Sequence, residues 1–236
     1  IEGDSAIYDL TKRSPLRAQG YSYITTDSPD ERGIDVALLY QRHQFKLLEK
    51  HEYQIHFENK NARPSRNILH AVGRLINSDT LDVFVCHFPS RRDGKRESEH
   101  LRIDAAKLLK SKTDSLFATR KTTNIVKTLQ AKSLKDDLDA KSLYNMFLHK
   151  MKNADFGSYK YQGRWEVLDQ FIVSGTLLID STKTQISNNE ACVYQADFLL
   201  LDDDINGGSK PFRTYQGPRY IGGFSDHLPV FMDLKL

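Results

Sequence analysis

Asp226 and His227 stand side by side in GGFSDHLPVFMDLKL, the stretch from Gly222 to Leu236. Both are ionisable, and a strand needs neither. Two other strand-like stretches carry the same oddity: His87 ends VFVCHFPSRR, and Asp169 interrupts EVLDQFIVS. Strand ends are rigid, and the loops that leave them are where sites are built. Each residue alone has a bland reading. A histidine at a strand end is usually a hydrogen-bonded structural group. A lone aspartate in an apolar strand often caps a nearby loop, and Asp226 suits a turn bonded to its own backbone. Together they make two acids and two histidines, beside Ser90, Arg91 and Arg92.

Ser225-Asp226-His227 is not a serine-hydrolase triad. Adjacent residues on an extended chain point to opposite sides, so the three cannot align as nucleophile, base and orienter. No Gly-x-Ser-x-Gly elbow occurs either. Metal-assisted attack on a phosphate ester fits better. Such an ester is anionic and repels its nucleophile. The reaction needs a hard cation on the phosphate oxygens, which Mg²⁺ provides through one or two carboxylates and several waters. It also needs a base in the imidazole range to align water, and an acid to orient that imidazole. Asp169 and His227 suit the acid–base pair, with Asp226 nearer the metal.

These groups must be held by strands. In RGIDVALLYQR, Ile34, Val36, Leu38 and Tyr40 share one face. In TLDVFVCHF, Leu81, Val83, Val85 and His87 share another. WEVLDQFIVSG reads as one strand, nearly apolar except for Asp169 and Gln170, as in a sheet covered on both sides. PVFMDLKL alternates Val230, Met232, Leu234 and Leu236 against Phe231, Asp233 and Lys235. SEHLRIDAAKLLKSK predicts a helix with a Leu101, Ala105, Leu108, Leu109 stripe and Ser98 as cap. AKSLYNMFLHKM is a second helical candidate, and ACVYQADFLL is read as a strand or a short helix. With no repeat and no linker, one α/β domain with packed sheets is the economical architecture for residues 1–236.

Bulk composition permits this and little else. The 236 residues are 39% hydrophobic and 28% charged, with a net charge of +3. No apolar run is long enough to span a bilayer. The opening IEGDSAIYDL lacks a basic start and an apolar core, so no signal peptide is read there. A leader removed upstream would place the protein in the cell envelope or outside the cell. Cys86 and Cys192 form no zinc or Cys-x-x-Cys spacing, and Cys86 reads as a small buried hydrophobe. From His87 to Lys121 there are ten Lys/Arg against five Asp/Glu. That is either a solvated helix with a basic flank or a phosphate-attracting face. The tyrosine-rich GSYKYQGRW and RTYQGPRYIGG either line a cleft or pack the domain.

The ordered motifs resemble the endonuclease/exonuclease/phosphatase superfamily, which includes deoxyribonucleases, exonuclease III-type repair enzymes, sphingomyelinases and inositol-polyphosphate phosphatases. GGFSDHLPV looks like its C-terminal Ser-Asp-His-x-Pro-Val motif, and RWEVLDQFIVS like its Asp-x-hydrophobic strand. VFVCHFPSRR looks like the strand ending in His-x-x-Ser, and RGIDVALLY like an earlier strand after Arg-Gly. GSYKYQGRWEVLDQFIVS and RTYQGPRYIGGFSDHLPV are most similar to a branch associated with Bacteroidetes-like bacteria. The resemblance runs over nearly the whole chain and implies a four-layer α/β sandwich, two packed mixed sheets flanked by helices. It implies a Mg²⁺- or Mn²⁺-dependent phosphoesterase in which His227 is general base or phosphate contact and Asp169 orients it. Asp226 would bind or tune the metal, and His87 would hydrogen-bond the phosphate. Arg32, Ser90 and Arg91 would position it. The expected partner is a phosphate ester, nucleic acid in first place, with a monomer the expected state.

The chain departs from the family pattern twice. The metal-binding Glu would fall immediately before Ile1, leaving Glu2 as the nearest acid. No Gly-Asp-x-Asn occurs, although KTTNIV resembles the strand on its N-terminal side and KTLQAKSL the segment on its C-terminal side. The favoured explanation is that segments of a longer protein, an upstream strand and a loop between Val126 and Lys127, are absent from this sequence. The rival is a true deletion, which would leave a catalytically inactive protein that binds a phosphate ligand or nucleic acid on the same fold.

Overall fold

The structure, a computed structural model, describes residues 1, 3–91, 94, 96–119, 131–179 and 183–236. Glu2, Arg92 and the Val126–Lys127 junction lie outside the described residues. The chain divides into two compact units, Ile1–Leu129 and Gln130–Leu236.

The N-terminal unit opens with a short helix, α1 (Asp4–Tyr8), followed by β1 (Tyr21–Thr25) and β2 (Ala37–Gln41), which pair antiparallel. Next come β3 (Phe45–Tyr53), β4 (Ile68–Leu75) and β5 (Thr80–Val85), an antiparallel sheet with β4 in the centre. β4 is buried along nearly its whole length because both of its faces are covered, with His70 satisfied by Tyr53 and Asp82. On one face Phe45, Ala71 and Leu75 pack with Ile24, Leu38, Tyr40, Leu81 and Val83. On the other, Ile55 and Ile68 pack with Ala105, Leu108 and Leu109 of helix α2 (Glu99–Thr119), and with Phe84 and Cys86. The Ala105–Leu108–Leu109 part of the expected stripe therefore faces the sheet. Ser98 stands just before the helix, its hydroxyl donating to the Gly94 carbonyl and accepting from Arg102 Nη1 at 2.8 Å. Cys86 packs with apolar neighbours, and burial pushes its thiol up to about 12.

The C-terminal unit is built from short strands around Tyr144, Met146, Phe147, Val167, Val173, Leu178, Ile186 and Ala191. In order these strands are β6 (Leu143–Asn145), β7 (Tyr159–Tyr161), β8 (Arg164–Glu166), β9 (Ile172–Ser174), β10 (Gln185–Ile186), β11 (Cys192–Val193), β12 (Leu200–Asp202), β13 (Ser209–Pro211), β14 (Tyr215–Gln216), β15 (Arg219–Tyr220), β16 (Val230–Phe231) and β17 (Leu234–Lys235). They pair as β6–β9, β7–β8, β10–β17, β11–β16, β12–β13 and β14–β15.

Three expectations change here. AKSLYNMFLHKM is not a helix: Leu143–Asn145 is strand β6, paired with β9. Leu143, Met146 and Phe147 mimic helical spacing, but Tyr144, Met146 and Phe147 are all fully buried. Burying each such side chain is worth about 1.5–3 kcal/mol, far above a helix-propensity difference of a few tenths. WEVLDQFIVSG is not one strand; β8 and β9 flank a non-strand stretch at residues 167–171. There side chains add to a backbone bond, Met146 N to the Phe171 carbonyl at 3.0 Å: Gln170 Nε2 donates to the Val167 carbonyl, and Asn145 Nδ2 to Gln170 Oε1 at 2.6 Å. Every strand pair among the described residues is antiparallel, and the one parallel contact is the isolated Lys132–Tyr144 bridge. The mixed sheets expected from sequence are thus not what the described ladders show. Four of these nine pairs, β4–β5, β7–β8, β12–β13 and β14–β15, are joined by links of six residues or fewer, which permit only antiparallel pairing.

The C-terminal alternation holds for Val230, Met232 and Leu234, which pack on the core, and for the exposed Phe231; Leu236, expected on the core face, is exposed instead. The stretch splits into β16 and β17, each with its own partner. ACVYQADFLL contains both β11 and a 3₁₀ turn at Asp197–Leu199.

Candidate active site

The residues that carry the chemistry divide between the units. Asp169, Asp226 and His227 belong to the C-terminal unit; Arg32, His87, Ser90 and Arg91 belong to the N-terminal one.

In the C-terminal unit the structure brings Asp169 to His227. Nδ1 of the histidine lies 2.6 Å from Asp169 Oδ2. His227 sits in the loop before β16, and that loop is shaped by its glycines. Gly222 has φ +80°, and a Cβ on Gly223 would lie 2.3 Å from the Phe212 carbonyl oxygen. Only glycine lets the two chain segments approach so closely. Leu228, 2% exposed, anchors the far side of the bend. Ser225 Oγ accepts from the His227 backbone N–H at 3.0 Å, so it is a turn residue and not a nucleophile.

Asp169 raises the affinity of His227 for a proton through this hydrogen bond. Burial opposes that shift, the Asp169 and Asp226 charges add to it, and Arg213 subtracts from it. The bond also selects a tautomer. With Nδ1–H donated to Asp169, Nε2 of the neutral ring is left as the proton acceptor. An oriented, neutral imidazole next to an exposed carboxylate, Asp226, can draw a proton from water.

Two further residues complete this group, and sequence reasoning did not single them out. Ser158 Oγ donates to Asp169 Oδ2 at 2.6 Å. The Tyr159 ring lies 5.0 Å from the His227 ring, tilted by 45°. Both belong to GSYKYQGRW, so the tyrosine-rich stretch contributes to the site. Its periodicity carried no signal of this, because the contacts span a long sequence separation.

In the N-terminal unit, His87 is exposed just after β5. The loop it begins is tied down at Phe88, whose carbonyl accepts from Arg66 Nη2 at 2.9 Å, and at Ser90, whose carbonyl accepts from Arg102 Nη1 at 3.4 Å. Arg91 is exposed, and with burial it lowers the proton affinity of Arg102. Arg32 is already engaged: its Nε and Nη2 grip Asp30 at 2.9 and 2.8 Å. Arg66 Nη1 reaches the same carboxylate at 3.2 Å. Two guanidinium groups on one carboxylate leave one positive charge beside the His87 loop. Asp30 and Arg66 were also not singled out from the sequence.

The basic stretch of α2 is largely paired. Lys107 meets Glu58 at 2.8 Å, Lys110 meets Asp114 at 2.5 Å, and Lys112 lies over the Tyr53 ring at 4.5 Å. The solvated-helix reading describes Lys107, half exposed, whereas Lys110 is largely covered beside Asp114.

For a divalent ion, the chemistry of the donor set is the test. Asp226 offers a hard, exposed oxygen donor of the type Mg²⁺ takes, while Asp169 is committed to His227. Among the described residues no group of three or more His, Cys, Asp or Glu converges. Asp226 is thus a single carboxylate of the donor type that could hold a water-rich divalent ion, and Glu2 lies outside the described residues. No helix among these is long and apolar enough to cross a membrane.

An aspartate-held histidine in a Ser-Asp-His bend is an arrangement that can serve general base chemistry. The family model for the Endonuclease/Exonuclease/phosphatase family matches residues 1–236, and the chain belongs to that family. Members are generally hydrolases, with metal-dependent phosphoesterase or nuclease-type activity, and commonly use divalent metals. Comparison with curated proteins and with solved structures found no match.

Proposed function

We propose that this protein is a divalent-metal-dependent phosphoesterase that hydrolyses phosphate esters by activating water at His227. The observation that carries the reading is the 2.6 Å Asp169–His227 hydrogen bond in a chain of this family. Asp169 holds Nδ1, and Nε2 takes the proton as water attacks phosphorus in line with the leaving oxygen. The departing alkoxide then needs a proton, which solvent or the imidazolium can return. A bound Mg²⁺ or Mn²⁺, with Asp226 among its ligands, would supply positive charge to the phosphate oxygens.

The roles given to His87, Ser90, Arg91 and Arg32 as phosphate contacts rest on their motifs. So do the four-layer sandwich, the single-domain organisation and Glu2 as a metal ligand. Nucleic acid is the preferred substrate class, on the basic balance of residues 87–121; the pairing of Lys107 and Lys110 weakens that argument. Phospholipid headgroups and phosphorylated sugars would use the same chemistry, because surface loops set the substrate.

The second reading, a binding protein without turnover, is favoured by one observation: Gly-Asp-x-Asn is absent from the sequence. Hydrolysis of bis-p-nitrophenyl phosphate and of single-stranded DNA, with Mg²⁺ or Mn²⁺ and with chelator, separates the two. Metal-dependent turnover that disappears in His227→Ala supports the enzyme. Ligand binding that is unchanged in chelator, with no turnover under any condition, supports the binding protein.

A further inference from the structure

Ser158 is 0% exposed and is hydrogen-bonded through every polar atom it has. Its N–H donates to the Glu166 carbonyl at 3.1 Å, and its carbonyl accepts from Leu228 N at 2.7 Å. Its hydroxyl donates to Asp169 Oδ2 at 2.6 Å and accepts from Asp169 N at 3.3 Å. One residue therefore grips the backbone next to His227 and both the backbone and the carboxylate of Asp169. Gly157 permits this: a Cβ there would lie 2.6 Å from the Glu166 backbone.

The neighbouring Tyr159 completes the grip. It forms an antiparallel bridge with His227, and its ring leans on the imidazole. The strand it opens is itself pinned, because the buried Lys160 ammonium meets Asp203 at 3.1 Å and the Gly207 carbonyl at 2.7 Å.

Aspartate and histidine side chains both turn broadly about χ2, so a bond between them does not by itself fix either plane. Ser158 removes the freedom of the carboxylate by donating to the same oxygen that receives His227 Nδ1. Tyr159 restricts the imidazole from its face. We propose that Ser158 and Tyr159 are positioning residues, which set the orientation of the Asp169–His227 pair and so aim Nε2. The kinetic consequence rests on the phosphoesterase reading; the orientation does not. Misplacing a catalytic group by about 1 Å costs on the order of 100-fold in rate, and it acts on the chemical step more than on binding.

The test uses the whole chain, metal-free, by proton NMR in water. The Nδ1 proton of His227, held in a 2.6 Å bond, should resonate downfield of the amides and vanish in His227→Ala. In Ser158→Ala that signal should move upfield or be lost to exchange, and in Ser158→Thr, which keeps the hydroxyl, it should persist. Tyr159→Leu, at a half-buried position, should speed solvent exchange of the downfield Nδ1 proton, which loss of the ring current alone does not do, and it serves if Ser158→Ala does not fold. With bis-p-nitrophenyl phosphate, kcat should fall about 10–100-fold in Ser158→Ala with little change in KM. A Ser158→Ala protein that folds and keeps the downfield signal unmoved overturns the proposal, as does a Tyr159→Leu protein in which the exchange rate of that proton is unaltered. If the wild-type protein shows no hydrolysis, the phosphoesterase reading fails, and the NMR arm still decides the positioning role.

Discussion

Asp169 Oδ2 and His227 Nδ1 meet at 2.6 Å although 58 residues separate them in the chain. Asp169 comes from a stretch that has left the ladder between β8 and β9, and His227 from a bend built on two glycines. The pair needs both irregularities, since a side chain in a regular strand is confined to one of its two faces.

Removing the base should therefore cost rate and not fold. We expect His227→Ala to reduce phosphoester turnover by about 10²–10⁴-fold, the usual weight of a general base. Thermal unfolding should stay close to wild type, because the His227 side chain is partly exposed. Near-normal turnover in this variant would remove His227 from the chemistry.

Asp169→Asn tests the tautomer. In metal-free protein, NMR titration should place the His227 imidazole above its ordinary value of about 6.5. The asparagine variant should bring it down, since the hydrogen bond that favours the charged ring is gone. The shift also links stability to pH. The folded-state affinity is raised, so the stabilisation is fully present below the unfolded value and is lost as pH rises through the folded one. An unchanged titration in Asp169→Asn would contradict the geometry.

Asp226 should matter for the ion. Asp226→Asn should raise the Mg²⁺ or Mn²⁺ concentration needed for half-maximal turnover, while the downfield proton of His227 in metal-free protein remains. Unaltered metal dependence would show that the carboxylate is not a ligand.

Asp30 offers a test away from the chemistry. Its side chain and that of Arg66 are each 4% exposed and form an ion pair. The two arginines hold the Asp30 carboxyl far below the usual carboxylate range, the hydrogen bond from Arg32 first, against burial. Burial, with the Arg32 charge, lowers the proton affinity of Arg66 against the hydrogen bond and charge of Asp30. Asp30→Asn should lower unfolding free energy in urea at pH 7 by about 3–5 kcal/mol, the cost of stranding a buried charge. Because the folded-state affinity is depressed, the contribution is present above the ordinary aspartate value of about 4 and fades as pH falls below it. The difference between wild type and variant should then shrink towards pH 3. A pH-independent difference would mean that packing, not charge, is responsible.

The local pattern of the chain was readable where one face of an element is buried. The alternation in Val230, Met232 and Leu234 and the stripe of α2 both point to their cores. It misled at AKSLYNMFLHKM, where Leu143, Met146 and Phe147 fall at helical spacing although tertiary burial of Tyr144, Met146 and Phe147 sets the conformation. It also misled across WEVLDQFIVSG, where the hydrogen bonds that break the strand come from Ser158 and Asn145, outside that stretch.

By itself the sequence determined the residue types of the site and their order: an acid in an apolar stretch, then a Ser-Asp-His bend before a terminal strand. Those arise from local composition and turn chemistry. Which partner each group takes was decided only by the tertiary structure. The union of Asp169 with His227, the hydroxyl of Ser158 on the same oxygen and the engagement of Arg32 by Asp30 are matters of distance in space. Hydrogen bonds act over about 3 Å, and chain separation carries no information on that scale.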